Sequence, residues 1–303
     1  MNDRVSLTSL PVNSLVIGFA EKPYDLFLLK VAGVELVGIK SEARFEPEGP
    51  VRKCSLVEAH MVKGRLLATR VTAQGYTAYY QPLPHNEISR LFEQAAQDPQ
   101  ASLSYPFAKI LPGGEESVPP PDAWDPDPDF AEELDRDEVY FRATAVSLLE
   151  QLGLQRGVVY DPACSTGAFL SGLKQAYGGL VTIGQDRNPG MAALARQRVD
   201  QVFCGDSIQP APAAESVDLL VLRHLNVEVV TAADAASLFL ASASTLRAGG
   251  YCLVFGHTPV QLPAAWFEMQ GFEVLSSVAA TPARHALFEF YLLRKGQSPQ
   301  WAA

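Results

Sequence analysis

The residues best able to do chemistry in this chain stand at the ends of apolar runs. GVVYD is followed by Pro162-Ala163-Cys164-Ser165-Thr166-Gly167-Ala168-Phe169. Small side chains there let backbone approach a ligand closely, and Gly167 reaches backbone angles closed to other residues. The hydroxyls of Ser165 and Thr166 can cap the helix that follows. A compact, turn-prone loop leading into a helix N-terminus is a cradle for a nucleotide. A second run, VDLLVL, ends in Arg223, His224 and Asn226. Arg223 can bind a carboxylate, and His224 can take a proton from an acceptor near neutral pH. Cys164 lies inside the loop with no neighbour that would depress its pKa, so it reads as structural.

The elements that must position these residues follow from the pattern after residue 137. EVYFRATAVSLLEQLG reads as a helix ended by Gly153, GVVYDPA as a buried strand, and STGAFLSGLKQAYG as the next helix. LVTIGQD, QVFCGD, VDLLVLRHL and YCLVFGH continue as strands separated by helical stretches, which argues for a parallel sheet covered on both faces. EVLSSVAA and HALFEFYLLRK are joined by a short Thr281-Pro282 turn with no crossover helix, so the last strand must be antiparallel. The expected fold is α/β, Rossmann-like, with seven strands of which only the last is reversed. Trp266, Phe267, Phe288, Phe290 and Tyr291 read as core, and His257 as a residue at the rim.

Before this lies a smaller β-rich region. From Val12 to about Pro82, short apolar runs alternate with turn signals such as Ala32-Gly33 and Lys63-Gly64. HNEISRLFEQAAQ then spaces Ile88, Leu91, Phe92 and Ala95 as the stripe of an amphipathic helix that covers the sheet. We divide the chain into a β-rich domain over 1–111, an acidic, proline-rich linker over 112–136 and an α/β domain over 137–303. The linker reads as solvated, with an ordered flap carrying Trp124 and Phe130 as the rival.

Of the 303 residues 48% are hydrophobic, enough for a packed core. The net charge is −10, and residues 115–138, with eleven acids against Arg136, account for all of it. The rest balances, so no cationic excess exists to meet a phosphate backbone or an anionic membrane surface. Nucleic acid and membrane are therefore not expected as partners. The four cysteines are far apart and suggest neither a zinc site nor a disulfide framework, which fits a cytoplasmic protein.

Over about residues 137–295 the sequence resembles the class I S-adenosylmethionine (SAM) dependent methyltransferases, on the strength of DPACSTGAFL and the strand ends that follow in order. The resemblance implies that Asp161, Ala163, Ser165 and Gly167 belong to the loop around the amino-acid part of SAM. It implies that Asp186 in IGQDRN, beside Arg187, holds both ribose hydroxyls, and that Asp206 in FCGDSI, beside Ser207, lies near the adenine amino group. Arg223, His224 and Asn226 would face the methionine half of SAM and the acceptor. Tyr140, Phe141 and Arg142 would lie over the site, an aromatic face there stabilising the sulfonium. Ala163 and Ser165 stand where the family usually has glycine, closer to the DPACGTG form of nucleic-acid amino-methyltransferases. Those enzymes also carry an Asp/Asn-Pro-Pro-aromatic signature at the fourth strand, absent from VLRHLNVE, so nucleobase methylation is rejected.

The expected activity is methylation of a small, natural-product type molecule with SAM as cosubstrate and no metal, using His224, Asn226 and Tyr140 as catalytic residues. Two alternatives remain. One is a SAM-consuming enzyme that releases methylthioadenosine, by aminocarboxypropyl transfer or by cyclisation of SAM to azetidine-2-carboxylate. The other is a SAM-binding protein without turnover. Oligomeric state is not legible.

Overall fold

Two sheets meet across one shared apolar cluster. The computed structural model describes residues 12–18, 25–40, 55–107, 138–227, 229–281 and 286–296, together with 116, 118, 120, 124, 135 and 136. Cys54, Phe130, Pro282 and most of the 112–136 linker lie outside the described residues.

The first sheet contains β1 (Asn13–Gly18), β2 (Leu26–Val31), β3 (Val34–Ile39), β4 (Val62–Val71), β5 (Gly75–Gln81) and β6 (Ser102–Ser104) in the order β1-β5-β4-β3-β2-β6, every pair antiparallel. The Ala32-Gly33 signal is the β2–β3 turn, with φ of 50° and 74°, the paired positive values that match strand twist in a two-residue hairpin. Residues 55–61 form no strand. Val57 makes one isolated bridge and Ala59–Met61 is a single 3-10 turn before β4 begins. Helix α1 (His85–Ala95) lays Ile88, Leu91, Phe92 and Ala95 against Phe27, Leu29 and Leu36, as its stripe requires.

The second sheet contains β7 (Arg156–Asp161), β8 (Gly179–Asp186), β9 (Gln201–Cys204), β10 (Val217–Leu222), β11 (Leu246–Phe255), β12 (Phe272–Thr281) and β13 (Ala286–Lys295), ordered β12-β13-β11-β10-β7-β8-β9. The pairs β7–β8, β8–β9, β7–β10 and β10–β11 are parallel, whereas β13 runs antiparallel to both β11 and β12. Numbered within the sheet, the strands read 3-2-1-4-5-7-6, with only the seventh reversed. Helices α2 (Val139–Gln151), α3 (Ala168–Ala176), α4 (Pro189–Ala195), α5 (Ala232–Ala243) and α6 (Ala264–Met269) cover it. Apolar residues on both faces, such as Val159 and Leu253 on one and Tyr160 and Cys252 on the other, fill separate cores.

The β-rich region is joined to this sheet by apolar packing and backbone pairing. Val57 and Leu287 exchange hydrogen bonds of 2.7 and 2.8 Å, and Ser55 Oγ donates to the Gly256 carbonyl at 2.9 Å. Val227, Ala286 and Leu287 of the second sheet's side belong to the same cluster as Phe27 and Phe92.

One buried acid in this frame sets a pH dependence. Glu289 on β13 is 4% exposed; it accepts from Val260 N at 2.9 Å and from the Tyr291 hydroxyl at 3.2 Å. Burial pushes its carboxyl from 4.5 up to about 7, the two hydrogen bonds only partly opposing this. A folded-state value above the unfolded one means a contribution fully present below about pH 4.5 and lost as pH rises through 7. Glu289→Gln should therefore stabilise the protein relative to wild type by about 3 kcal/mol more at pH 8.5 than at pH 4.5. Equal shifts in denaturant midpoint at the two pH values would contradict this.

Candidate functional site

The sheet order reverses between β7 and β10, and an open parallel sheet binds ligands beyond the carboxyl ends of its strands at such a point. Asp161 ends β7, and Arg223 follows β10 directly.

The loop after β7 is held from within. Asp161 Oδ1 accepts from Ala163 N at 3.0 Å, Gly167 N donates to the Cys164 carbonyl at 2.9 Å, and Cys164 N donates to the Gln185 carbonyl at 2.9 Å. Helix α3 starts only at Ala168, because Ser165 and Gly167 have φ of 52° and 78°. A Cβ on Gly167 would also lie 2.8 Å from Val199 Cγ2 and 3.1 Å from Ala195, so conformation and close approach both require glycine. The expected capping is half realised. Thr166 Oγ1 accepts from Ala168 N at 3.3 Å, while the Ser165 hydroxyl turns to Met191 Sδ at 3.6 Å. Cys164 packs against Gly184 and burial pushes its thiol far up, so it is inert.

Asp186 closes this loop from the tip of β8. Its Oδ2 accepts from Ser165 N at 2.8 Å and its Oδ1 from Asn188 N at 2.9 Å, and the residue is 9% exposed. Burial raises its pKa, and the two amides pull it back. One donor per oxygen leaves each oxygen a lone pair for a hydroxyl. Gln185, beside it and 2% exposed, went unnoticed in the sequence. It donates to the carbonyls of Asp206 at 2.8 Å and Gln209 at 3.1 Å, and it accepts from Ala211 N at 2.9 Å. A long amide next to the strand-end acid was the available signal; here it fixes the loop that carries Asp206 and Ser207. Asp206 is exposed, with Oδ1 accepting from Ile208 N at 3.0 Å, and Arg187 is exposed too.

At the switch point Arg223 is buried between two carboxylates. Nε donates to Asp161 Oδ2 at 2.8 Å, Nη1 donates to Glu138 Oε1, and Nη2 donates to the Ala163 carbonyl at 3.1 Å. The guanidinium lies 5.2 Å from the Phe169 ring centre. Burial pushes Asp161 and Glu138 up, and Arg223 opposes that shift in both. Near the end of the 112–136 stretch that reads as a solvated linker, one acid is held against the site. Asp135 accepts from Thr166 Oγ1 and from Arg198 Nη1 at 2.6 Å, and its carbonyl accepts from Arg142 at 2.7 Å.

His224 and Asn226 stand beside Arg223. Neither ring nitrogen of His224 has a partner or solvent access, and the Asn226 Oδ1 is likewise unpaired. Burial, then the charges of Arg223 and Arg187, lower the His224 pKa to about 4 against the pull of Asp206. Its imidazole is neutral at pH 7, suited to hydrogen-bonding a ligand more than to storing a proton. Asn226 packs against Gly256, where a Cβ would come 1.8 Å from Nδ2. Tyr140 is half-buried, its ring 4.4 Å from Phe141 and 5.4 Å from Phe288. Phe141 in turn meets His257 edge-on at 5.3 Å, forming an aromatic wall at the end of β11. Among the described residues no group of three or more His, Cys, Asp or Glu is placed to hold a metal, and no helix is long and apolar enough to cross a membrane.

These residues fit SAM. Asp186 offers paired lone pairs to a vicinal diol. Among the buried and half-buried charges around the mouth, Asp135, Glu138, Asp161 and Asp186 outnumber Arg142 and Arg223, and SAM, with a sulfonium, an ammonium and a carboxylate, carries one net positive charge.

No family model matches the chain. Among solved structures the chain is similar to magnesium protoporphyrin IX methyltransferase from Synechocystis PCC 6803 with bound SAM, at 15% identity and TM-score 0.42 over 57% of this chain and 86% of that one. A SAM-dependent methyltransferase from Methanococcus maripaludis gives 14% and 0.43 over 59% and 96%. Among curated proteins, isonocardicin synthase of Nocardia uniformis subsp. tsuyamanensis is 44% identical over 283 residues, spanning 91% of this chain and 93% of that protein. At that identity over nine-tenths of both proteins, the chain belongs to the isonocardicin synthase family.

Proposed function

We propose that the enzyme transfers the 3-amino-3-carboxypropyl group of SAM to a small-molecule acceptor, releasing methylthioadenosine. When bound, SAM supplies a sulfonium whose γ-carbon is open to displacement: the acceptor–carbon bond forms, the carbon–sulfur bond breaks, and sulfur keeps the electron pair. The observation that carries the reading is Arg223. Three of its five N–H groups are committed to Asp161, Glu138 and Ala163, which leaves two on a locked guanidinium to receive a carboxylate. A carboxylate held there would fix the aminobutyrate chain beside His224 and Asn226, whose unpaired polar atoms suit an acceptor. Asp186 would hold the ribose, with Asp206 and Ser207 on the adenine side, and Tyr140 and Phe141 would screen the reacting atoms from water. Holding nucleophile and carbon in line at about 3 to 3.5 Å is the main catalytic demand of such a displacement. The 44% identical relative is named for making isonocardicin rather than for methylation, which favours the same reading.

The products test it. Purified enzyme with SAM and a panel of phenols and amines should yield methylthioadenosine and an adduct heavier by the aminocarboxypropyl group. S-adenosylhomocysteine in place of methylthioadenosine would establish methyl transfer instead. Methylthioadenosine together with azetidine-2-carboxylate, formed at full rate without acceptor, would establish ring closure instead.

A further inference from the structure

Asp161 ends β7 at the switch point, but both of its oxygens are already occupied by the protein. Its residue is 0% exposed; one oxygen accepts from Ala163 N and the other from Arg223 Nε. Glu138, one residue before α2, is placed differently. Its Oε1 pairs with Arg223 Nη1, while its Oε2 stands 3.9 Å from Arg142 Nη1, beyond hydrogen-bonding reach. The Glu138 side chain is 12% exposed, against 0% for Asp161. The same guanidinium whose two free N–H groups suit a carboxylate is therefore flanked by a carboxylate oxygen with capacity to spare.

We propose that Glu138, and not Asp161, is the acceptor for the α-ammonium of SAM, so that Glu138 and Arg223 together read the zwitterionic end of the molecule. This rests on SAM being the ligand of this site. Asp161 then acts as a positioning residue that orients Arg223. A carboxylate and a guanidinium hydrogen-bonded to each other present opposite charges a few ångströms apart, which is the spacing of the charges on an α-amino acid. A ligand lacking the zwitterion forgoes both contacts and gains no affinity from this end of the site.

The test uses the full chain and two probes, S-adenosylhomocysteine, which carries the zwitterion, and methylthioadenosine, which lacks it. By calorimetry, Glu138→Gln should weaken S-adenosylhomocysteine about ten-fold or more, the scale of one charge-assisted hydrogen bond, and leave methylthioadenosine within about two-fold. Glu138→Asp keeps the charge but withdraws the oxygen by one methylene, and it should show the same selective loss if the glutamine variant does not fold. Parallel weakening of both probes, or no change in either, would overturn the proposal. Wild-type protein that binds neither probe would sink the SAM site itself, a separate failure.

Discussion

Arg223→Ala should be the most damaging single substitution in this protein, lowering stability by about 3 to 5 kcal/mol and abolishing turnover. The loss has two origins. Removing one member of a buried ion cluster leaves the others without compensation, which costs far more than the net worth of the pairing. Asp161, wholly buried, and Glu138, 12% exposed, would both lose their guanidinium. The pH dependence separates this from simple loss of packing over Phe169. Without Arg223, nothing opposes the burial that already raises both carboxyls. Their folded-state values would stand further above the unfolded ones, so the stability they contribute is present at low pH and lost as pH rises through those values. The gap between variant and wild type in a denaturant titration should therefore be smaller at pH 5 than at pH 8. A gap independent of pH would show that unpaired carboxylates are not the cause.

Asp186→Ala is expected to weaken SAM binding by roughly 1.5 to 3 kcal/mol, the range for losing hydrogen bonds to a charged group. The carboxylate has two tasks, since besides its free lone pairs it holds Ser165 N at 2.8 Å while Ser165 sits at φ 52°. Replacing Asp186 thus removes a ligand contact and an anchor of the loop's least comfortable residue. Asp186→Asn keeps an acceptor for one amide but turns the other half into a donor, and should lie between the two. Calorimetry on folded protein decides it, and unchanged affinity in Asp186→Ala would mean that the ribose lies elsewhere.

The frame of the site was legible because its signals are local. Apolar runs such as VVY and VDLLVL mark buried strands, and the absent crossover before HALFEFYLLRK forces the reversed strand. Asp161, Asp186, Arg223 and Asn226 were readable as the residues at strand ends. The partners that fix them were not. Glu138 lies 85 positions from Arg223 and Asp135 lies 63 from Arg198, and the linear chain surrounds both acids with others of like charge. A run of acids reads as solvated when nothing in the sequence says which member folds back onto a cation. Gln185 failed to register for the opposite reason, since its neighbour Asp186 offered a complete explanation of the strand end. His224 was rightly placed beside Arg223, but its neutral state depends on burial and on two arginine charges, which only the three-dimensional arrangement supplies.

Val227, one residue beyond Asn226, packs into the interior of the antiparallel sheet, and Ser55 on that side is bonded to Gly256, against which Asn226 rests. The segment after β10 is thus bolted to the amino-terminal half of the chain. Exchanging that half for the one in the 44% identical relative should change which small molecules are accepted while leaving nucleoside affinity intact, a difference that competition binding with methylthioadenosine would read.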